Sequence, residues 1–430
     1  MINPWRAAIG SLLLLAFSAT FAATELEPSE SRFVFDAPTT LVENSFYRAQ
    51  RQGRFFVVGL KKPHQVLSTS AVNGGQSTTV DYLVNHQSME ARGDHLRYMQ
   101  QITLDRQQYH QTVADQLRIP SQAMALMGTA ANIQHLAMVE KHFKGLSVRV
   151  FATAGVRSNA QRAGDLTKWY QHNDGVMVSN KPIATAQAKS SLTTDNQGTI
   201  NILLLVNREL VPGAQTKIAV LASEAKAAVL AELMVSSQSS SFLATGTGTD
   251  QIIIASPIAT GSPPLPSASG HLKIGELVGS AVREALLEAL NWQNRIQPSS
   301  AANLFYVLGR FGLTEERLLE GLQLHLSAVD FGLAEQNLNS IISDSRTNAA
   351  AYAYSELLDR LQFGNLSPTA ALEILLDQAA QVSVAVSAKP LRWPEFWKAL
   401  ADTNTSEQAN ESVDLFIAAV AQGWQAKWDD

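Results

Sequence analysis

The sequence predicts an α/β protein, specifically an α+β sandwich with a mixed sheet flanked by helices, followed by an all-α module at the C-terminal end. Compact apolar runs bounded by turn residues, such as residues 55–60 and 201–207, are typical of buried strands. After about Asn294 such runs largely stop, and leucine and alanine recur at spacings of three and four, as in helices. This pattern does not determine the order of the strands.

The elements follow from local pattern along the chain. Alternation in residues 32–35 and apolar runs in residues 55–60, 146–154 and 201–207 predict strands. Residues 132–144 are predicted to form a helix. Residues 218–233 are predicted to hold a strand edge followed by a helix, and apolar spacing from 274 to 290 predicts a long helix. Ser367-Pro368 predicts a helix start, with serine as N-cap and proline at the first helical position.

Composition excludes several classes of protein. The chain has 430 residues, of which 46% are apolar and 17% charged, which suits two well-filled domains. The net charge of -5 and the lack of a long basic run argue against a nucleic-acid partner. Because there is no cysteine, the residues offer no disulfide, thiol nucleophile or cysteine-ligated zinc.

The first 22 residues are predicted to be a signal peptide. Arg6 supplies the positive charge, residues 7–21 are mostly apolar, and Thr20-Phe21-Ala22 forms a cleavage site before Ala23. We therefore expect a periplasmic protein with an α/β domain at 23–295 and a helical extension at 296–430. No later segment is expected to span a bilayer, so membrane contact is expected only through the signal segment.

The segment Thr245-Gly246-Thr247-Gly248-Thr249-Asp250 precedes an apolar run and is the main candidate for chemistry. Alternation would place the three threonines on one face and the glycines with Asp250 on the other. Glycine lets a ligand approach the backbone and leaves N–H groups open to an oxyanion. The alternative is an ordinary structural turn into a strand.

Three further clusters carry polar side chains, and each has a plain structural alternative. Arg157 and Asn159 follow a predicted strand and could hold carboxylate or amide groups, although the loop could equally be a solvated turn. The segment Ser223-Glu224-Ala225-Lys226 could be catalytic, or Ser223 could be an N-cap and Glu224 a first-turn acid.

The third cluster lies at the start of the long predicted helix. His271 could act as an acid or base there, and Lys273 and Glu276 would share one face of the helix. A terminal histidine of this kind can also be incidental. No metal site is expected, because the sequence has no His-Glu-x-x-His pattern and His135 and His142 are too sparse. No phosphate loop, dinucleotide fingerprint or Gly-x-Ser-x-Gly motif is present.

Taken in order, these segments resemble the adenosylcobinamide amidohydrolase family. The resemblance covers roughly residues 55–292, about half the chain, and several ordered motifs make it more specific than any single one. The matching segments are 67–75, 127–132, 152–156, 159–165, 198–202, 224–226, 245–250 and 270–276.

The resemblance implies hydrolysis of the amide that joins the aminopropanol arm to a ring propionate of adenosylcobinamide. The product would be adenosylcobyric acid, for cobamide salvage and remodelling. It implies a corrinoid ligand and no cofactor, since the cobalt belongs to the substrate. The expected export signal suggests a corrinoid transport system as a partner. The alternatives are a periplasmic corrinoid-binding protein on an inactive hydrolase scaffold and an unrelated envelope structural protein.

For amide hydrolysis, Glu224 or Asp250 is the candidate base for a water, and His271 or Lys226 the candidate acid for the amine. The N–H groups around Gly246–Thr249 would hold the oxyanion. In the rival mechanism Lys226 activates a hydroxyl nucleophile, for which the candidates are Thr153, Ser223, Thr245 and Thr249. The predicted catalytic residues are Glu224, Asp250, Lys226, His271 and Thr249. The predicted substrate-binding residues are Asn73, Thr153, Arg157, Asn159, Thr245, Thr247, Lys273 and Glu276.

Overall fold

The computed structural model of the chain describes residues 37–88, 105–167, 169–171, 177–179, 198–403 and 412–429. One compact unit spans Pro38–Asp430. The predicted signal segment and the predicted strand at residues 32–35 lie outside the described residues.

The first sheet has five strands in the order β1-β2-β3-β6-β7. Neighbours are antiparallel except β6 and β7, which are parallel because helix α1, Arg106–Leu117, joins them as a crossover. Its strands are β1 Thr39–Glu43, β2 Tyr47–Gln52, β3 Phe55–Leu60, β6 Tyr82–Gln87 and β7 Met124–Thr129.

The second sheet has six strands in the order β5-β4-β15-β13-β9-β8. Only β13 and β15 are parallel in it, and helix α2, Pro212–Glu232, lies on the connection between them. Its strands are β4 His64–Ser68, β5 Gly75–Ser77, β8 Ala137–Phe143, β9 Leu146–Ala154, β13 Ile200–Val206 and β15 Gln251–Pro257. Two ribbons pair β10 Ala160–Gln161 with β14 Gly246–Thr247, and β11 Trp169–Gln171 with β12 Met177–Ser179.

The two sheets pack face to face between layers of helices. Strand β13 shows the reason, because its side chains alternate: Leu203 and Leu205 face the first sheet, and Ile202 and Leu204 face α2 and α3, Lys273–Asn294. Between the sheets the rings of Phe56 and Phe151 lie 4.6 Å apart. Helix α1 covers the outer face of the first sheet. The expected sandwich of mixed sheet and helices is therefore confirmed, with two mixed sheets in four layers.

The C-terminal region is helical, as expected, and has its own apolar core. Ser367 caps helix α9 and Pro368 occupies its first turn, which confirms the predicted start. By length and composition α9 is long and apolar enough to cross a membrane, contrary to expectation, but much of it packs into this core. The helices are α4 Leu304–Leu308, α5 Glu315–His325, α6 Ala328–Gln336, α7 Leu338–Ile342, α8 Ser345–Gln362, α9 Pro368–Ser387, α10 Trp393–Thr403 and α11 Ser412–Ala426.

Two local predictions are wrong. The helix expected at residues 132–144 is a short 3-10 turn followed by strand β8, in which buried Ala137 and Val139 alternate with outward side chains. The strand edge expected before the helix at residues 218–233 is absent, because α2 already begins at Pro212. Ser223 therefore lies inside the helix, where its hydroxyl donates to the Ala219 carbonyl, and it is not an N-cap.

A buried histidine should make stability depend on pH. Burial, helped by the charge of Arg54, lowers the pKa of His86 to about 3, and its ring stacks on Phe55. Because an unfolded histidine titrates near pH ~6.5, the unfolded state binds one more proton between pH ~6.5 and ~3. The free energy of unfolding should therefore fall by about 2 kcal/mol between pH 7 and 5 from this group alone.

Urea unfolding at several pH values checks this prediction. His86→Gln should flatten the pH dependence, whereas His142→Gln, at a side chain that is 64% exposed, should leave it as in the wild type. An equally steep dependence in His86→Gln would show that other groups cause it.

Candidate active site

A cavity of about 370 Å³ opens at the edge of the sandwich where β4 and β7 end and β13 and β15 begin. Five chain segments and helix α1 meet there, because the strands next to these segments share this edge. In the parallel pair, Asn201 is in register with Gln251, which places the segments before both strands side by side. The lining residues are Thr69, Ser70, Ala71, Val72, Ser88, Arg106, Tyr109, His110, Leu126, Gly128, Thr129, Ala130, Gly198, Thr199, Gly248, Thr249, Asp250 and Gln251.

The Asp250 carboxylate organises the segment before β15. Oδ1 accepts the Thr247 hydroxyl at 2.5 Å and the Ile200 N–H at 3.0 Å. Oδ2 accepts the Thr247 N–H at 3.0 Å and the ammonium of Lys226. One side chain thus closes the turn, ties it to β13 and neutralises a lysine from α2. With four donors around it, this carboxylate holds the loop in place and is not a free base.

The ion pair between Lys226 and Asp250 is largely shielded from water, with the two side chains 15% and 14% exposed. It packs directly on Gly246, where an added Cβ would clash with the carboxylate and lie 2.8 Å from Lys226 Nζ. The glycine is therefore required by the ion pair. Lys226 lies behind the loop and outside the cavity lining.

Gly248 and Thr249 reach the cavity itself. Gly248 packs against β10, because an added Cβ would lie 3.1 Å from Gln161 Oε1 and 3.3 Å from Asn159 Oδ1. The Thr249 hydroxyl donates to the Gly198 carbonyl and accepts from Asn159 Nδ2, both at 3.2 Å. The loop thus brings its backbone and one positioned hydroxyl to the cavity.

The loop after β4 forms the opposite wall. The Ser70 hydroxyl accepts the Leu126 N–H at 3.0 Å and lies 2.9 Å from the Leu126 carbonyl, which ties the loop to β7. Asn73 has a left-handed backbone, with φ 56°, and its amide donates to the Ser121 and Met124 carbonyls. Asn73 therefore fixes the loop and is not among the residues that line the cavity.

His110, on α1, contributes an imidazole to the cavity. Its Nε2 lies 2.9 Å from the Ser121 carbonyl, so we assign the proton to Nε2, which leaves Nδ1 as the basic nitrogen. Burial lowers the pKa of His110, so the ring is neutral at pH 7. Its neighbour Tyr109 instead bonds through its hydroxyl to His86, at 2.8 Å.

The structure separates the other predicted residues from this cavity. Glu224 lies on α2 with its side chain 61% exposed, and its nearest cation is Lys217 at 3.9 Å. Thr153 is fully buried between the sheets, where its hydroxyl accepts from Asn85. Arg157 donates to the Asn294 carbonyl, and the Thr245 hydroxyl accepts the Ala163 N–H.

His271, Lys273 and Glu276 lie at the opposite end of the sandwich. Lys273 sits over the ring of Phe143, at the far end of β8, and pairs with Glu276 at 2.6 Å. The other end of the same helix is near the cavity edge, where Asn294 accepts the Val156 N–H. A helix of this length spans about 33 Å, so these residues do not join Asp250 in one site.

Sequence reasoning did not select His110, Tyr109, Arg106, Thr129 or Thr199, although all line the cavity. Thr129 and Thr199 stand in segments that carry the family resemblance, so a signal for them existed. His110 and Arg106 lie in a mixed polar stretch without a clear pattern, and only the fold brings them to the cavity. Within the residues that the structure describes, no group of three or more His, Asp or Glu side chains could hold a metal ion.

Comparisons with known proteins identify the family of the chain. The family model described as adenosylcobinamide amidohydrolase matches residues 38–298. The chain belongs to this family. An uncharacterized protein of Methanocaldococcus jannaschii is 32% identical over 198 residues, which cover 44% of this chain and 71% of that protein. The PH0078 protein from Pyrococcus horikoshii OT3 aligns with 10% identity and a TM-score of 0.27, over 59% of this chain and 82% of its own.

Two substitutions separate the sequence-predicted bases. In Asp250→Asn, an amide N–H₂ faces groups that are all donors, which should cost about 1–3 kcal/mol and displace the loop. We expect at least a tenfold loss of amide hydrolysis together with a lower urea midpoint. Glu224→Gln loses only a weak, exposed ion pair and should have a far smaller effect on both. Strong inactivation by Glu224→Gln with an active Asp250→Asn would identify Glu224 as the base instead.

Proposed function

We propose that this protein hydrolyses the amide bond between the aminopropanol arm and the ring propionate of adenosylcobinamide or a related corrinoid. The observation that carries the proposal is that four family-typical segments of the chain meet at one cavity. Segments 67–75, 127–132, 198–202 and 245–250, which are far apart in sequence and carry the family resemblance, line one cavity. The membership in an amidohydrolase family supplies the reaction type.

The size of the cavity suggests which part of the substrate enters it. At about 30 Å³ for each water, 370 Å³ holds about a dozen waters. That volume suits an amide arm but not a corrin macrocycle, so the ring would stay at the mouth. Hydroxyl groups are the most numerous polar side-chain groups of the lining, and a hydroxyalkyl amide offers matching donors and acceptors. They belong to Thr69, Ser70, Ser88, Tyr109, Thr129, Thr199 and Thr249.

The cavity provides groups for each step of amide hydrolysis. Backbone N–H groups of the loop around Gly248 and Thr249 would stabilise the oxyanion of the tetrahedral intermediate. His110 Nδ1 would take a proton from the attacking water and return it to the departing amine. Asp250 and Lys226 would act indirectly, by holding Gly248 and Thr249 in place.

A water is favoured over a hydroxyl nucleophile. Of the candidate hydroxyls, Thr153 is fully buried and Ser223 bonds back within its helix, so neither lines the cavity. Thr249 lines the cavity, but the lysine proposed to activate it is paired with Asp250. Among the described residues that line the cavity, His110 keeps a free basic nitrogen, Nδ1. This favours a water activated by His110 as the nucleophile.

The setting of the reaction belongs to the same proposal. The apolar segment before Ala23 supports export to the periplasm. Hydrolysis there would precede corrinoid uptake, for salvage and remodelling, beside a corrinoid transport system. The cobalt would enter with the substrate, and no resident cofactor is proposed.

The direct test is to incubate the protein from Ala23 onward with adenosylcobinamide and follow the release of aminopropanol by mass spectrometry. We expect release from adenosylcobinamide and none from adenosylcobyric acid, which lacks the arm. Tight corrinoid binding without release would instead indicate a carrier on an inactive scaffold. If the protein shows neither corrinoid binding nor release of aminopropanol, both functions are excluded.

The role of His110 predicts a pH profile. As a base the imidazole must be neutral, so kcat/KM should be constant near pH 7 and fall as the pH drops through the lowered pKa of His110. His110→Gln should lose about 10²-fold or more of kcat and also lose this acid limb. His142→Gln serves as the control. If His110→Gln has a lower kcat but keeps the acid limb, the limb belongs to another group.

The groups that face His110 bear on this profile. Arg106 and Tyr109 lie on the same helix, Asn73 approaches Nε2 at 3.4 Å, and Asp250 lines the same cavity. Asp250 is the only carboxylate among these groups, and Asp250→Asn should leave the acid limb in the residual activity when His110 is the base.

A further inference from the structure

The helical extension contacts the connection between α2 and β14, which leads directly into the cavity loop. Phe242 lies on this connection, and its ring stacks on Phe363 of the extension at 5.2 Å with an interplanar angle of 7°. The guanidinium of Arg162, next to β10, lies 5.2 Å from the first ring and 5.8 Å from the second. Arg162 also donates to the Leu243 carbonyl at 3.3 Å.

A second contact beside this stack is almost dry. The Arg310 side chain, 2% exposed, forms a bidentate ion pair with Asp359 at 2.6 Å. The same guanidinium donates to the Ser241 carbonyl at 2.8 Å, and the Ser241 hydroxyl donates to Gln362 at 3.0 Å. A buried bidentate guanidinium has a fixed geometry, so residue 241 is held firmly. We refer to Arg162, Phe242, Phe363, Arg310 and Asp359 as the clamp.

The clamp contacts the chain next to both strands of the ribbon that carries the cavity loop. Arg162 directly follows β10 and Phe242 precedes β14, and these strands pair Ala160 with Thr247 and Gln161 with Gly246. From the ribbon the chain continues into Gly248, Thr249 and Asp250. On the β10 side, Asn159 donates to the Thr249 hydroxyl. A shift at the clamp would therefore move the loop from two directions.

We infer that the helical extension positions the active-site loop of this chain. Its contacts come from Arg310, Asp359 and Phe363, all of which lie beyond the family match at residues 38–298. The clamp residues do not touch the cavity and act through the ribbon. The inference rests on the proposed function only where activity is the measurement.

The test is Phe363→Ala in the full chain, which removes one ring of the stack. We expect kcat for adenosylcobinamide to fall about tenfold with little change in KM, because the displaced cavity loop acts mainly in the transition state. Hydrogen exchange of the amides in residues 245–250 should become faster. Phe363→Tyr should restore both, since it keeps the ring. Leu324→Ala, at an exposed apolar side chain of the same extension, is the control.

Arg162→Lys gives an independent variant, because lysine keeps the charge but cannot stack as a planar group. Arg162→Lys should show the same loss of kcat and the same faster exchange. It therefore provides the test if Phe363→Ala fails to fold. Wild-type kcat and exchange in folded Phe363→Ala and Arg162→Lys would overturn the inference. Faster exchange in these variants, with no hydrolysis even by the wild type, would support the clamp and refute the proposed function.

Discussion

The Asp250 carboxylate is the constraint on which the site depends. It lies where a parallel strand pair begins, an edge at which backbone N–H groups without ladder partners need another acceptor. A carboxylate there satisfies the Ile200 and Thr247 N–H groups together and adds the Thr247 hydroxyl. A carboxylate without a neighbouring cation would be costly to shield from water, and the ammonium of Lys226 on α2 supplies that positive charge.

This arrangement explains the glycines of the loop in physical terms. Gly246 leaves the space that the ion pair occupies, and Gly248 leaves the approach to Gln161 open. Any other residue at Gly246 would push the carboxylate away from its donors. The spacing of threonine, glycine and aspartate thus meets two needs, a compact turn around one carboxylate and close packing of that turn against Asn159 and Gln161.

Local pattern predicted those parts of the fold that depend on local interactions. Strand β13 is an apolar run buried on both faces, interrupted only by Asn201, and Ser367-Pro368 starts a helix by its own chemistry. The helix predicted at residues 132–144 was wrong because these residues form a hairpin with β9, and pairing across the Lys144-Gly145 turn decides their conformation. Strand order and the existence of two sheets depend on distant pairing.

The candidate site also contains residues that local sequence could predict and residues whose place depends on the fold. Thr249 and Asp250 could be predicted because the loop that carries them has its own sequence signature. Lys226 and Glu224, two positions apart, were equal candidates in sequence, and only the crossover geometry directs Lys226 to Asp250 and Glu224 to solvent. His110 has no local signature, since its place depends on how α1 packs on the first sheet.

The extension adds a constraint that the α/β domain lacks by itself. The ribbon of β10 and β14 has only two residues in each strand, and so short a pair is marginal alone. Aromatic stacking and a buried bidentate ion pair beside it supply rigidity that its own hydrogen bonds cannot. Because oxyanion stabilisation requires donors that are fixed before reaction, rigidity at the ribbon bears directly on the backbone of the cavity loop. A helical module far from the cavity can therefore act on chemistry without supplying a single cavity residue.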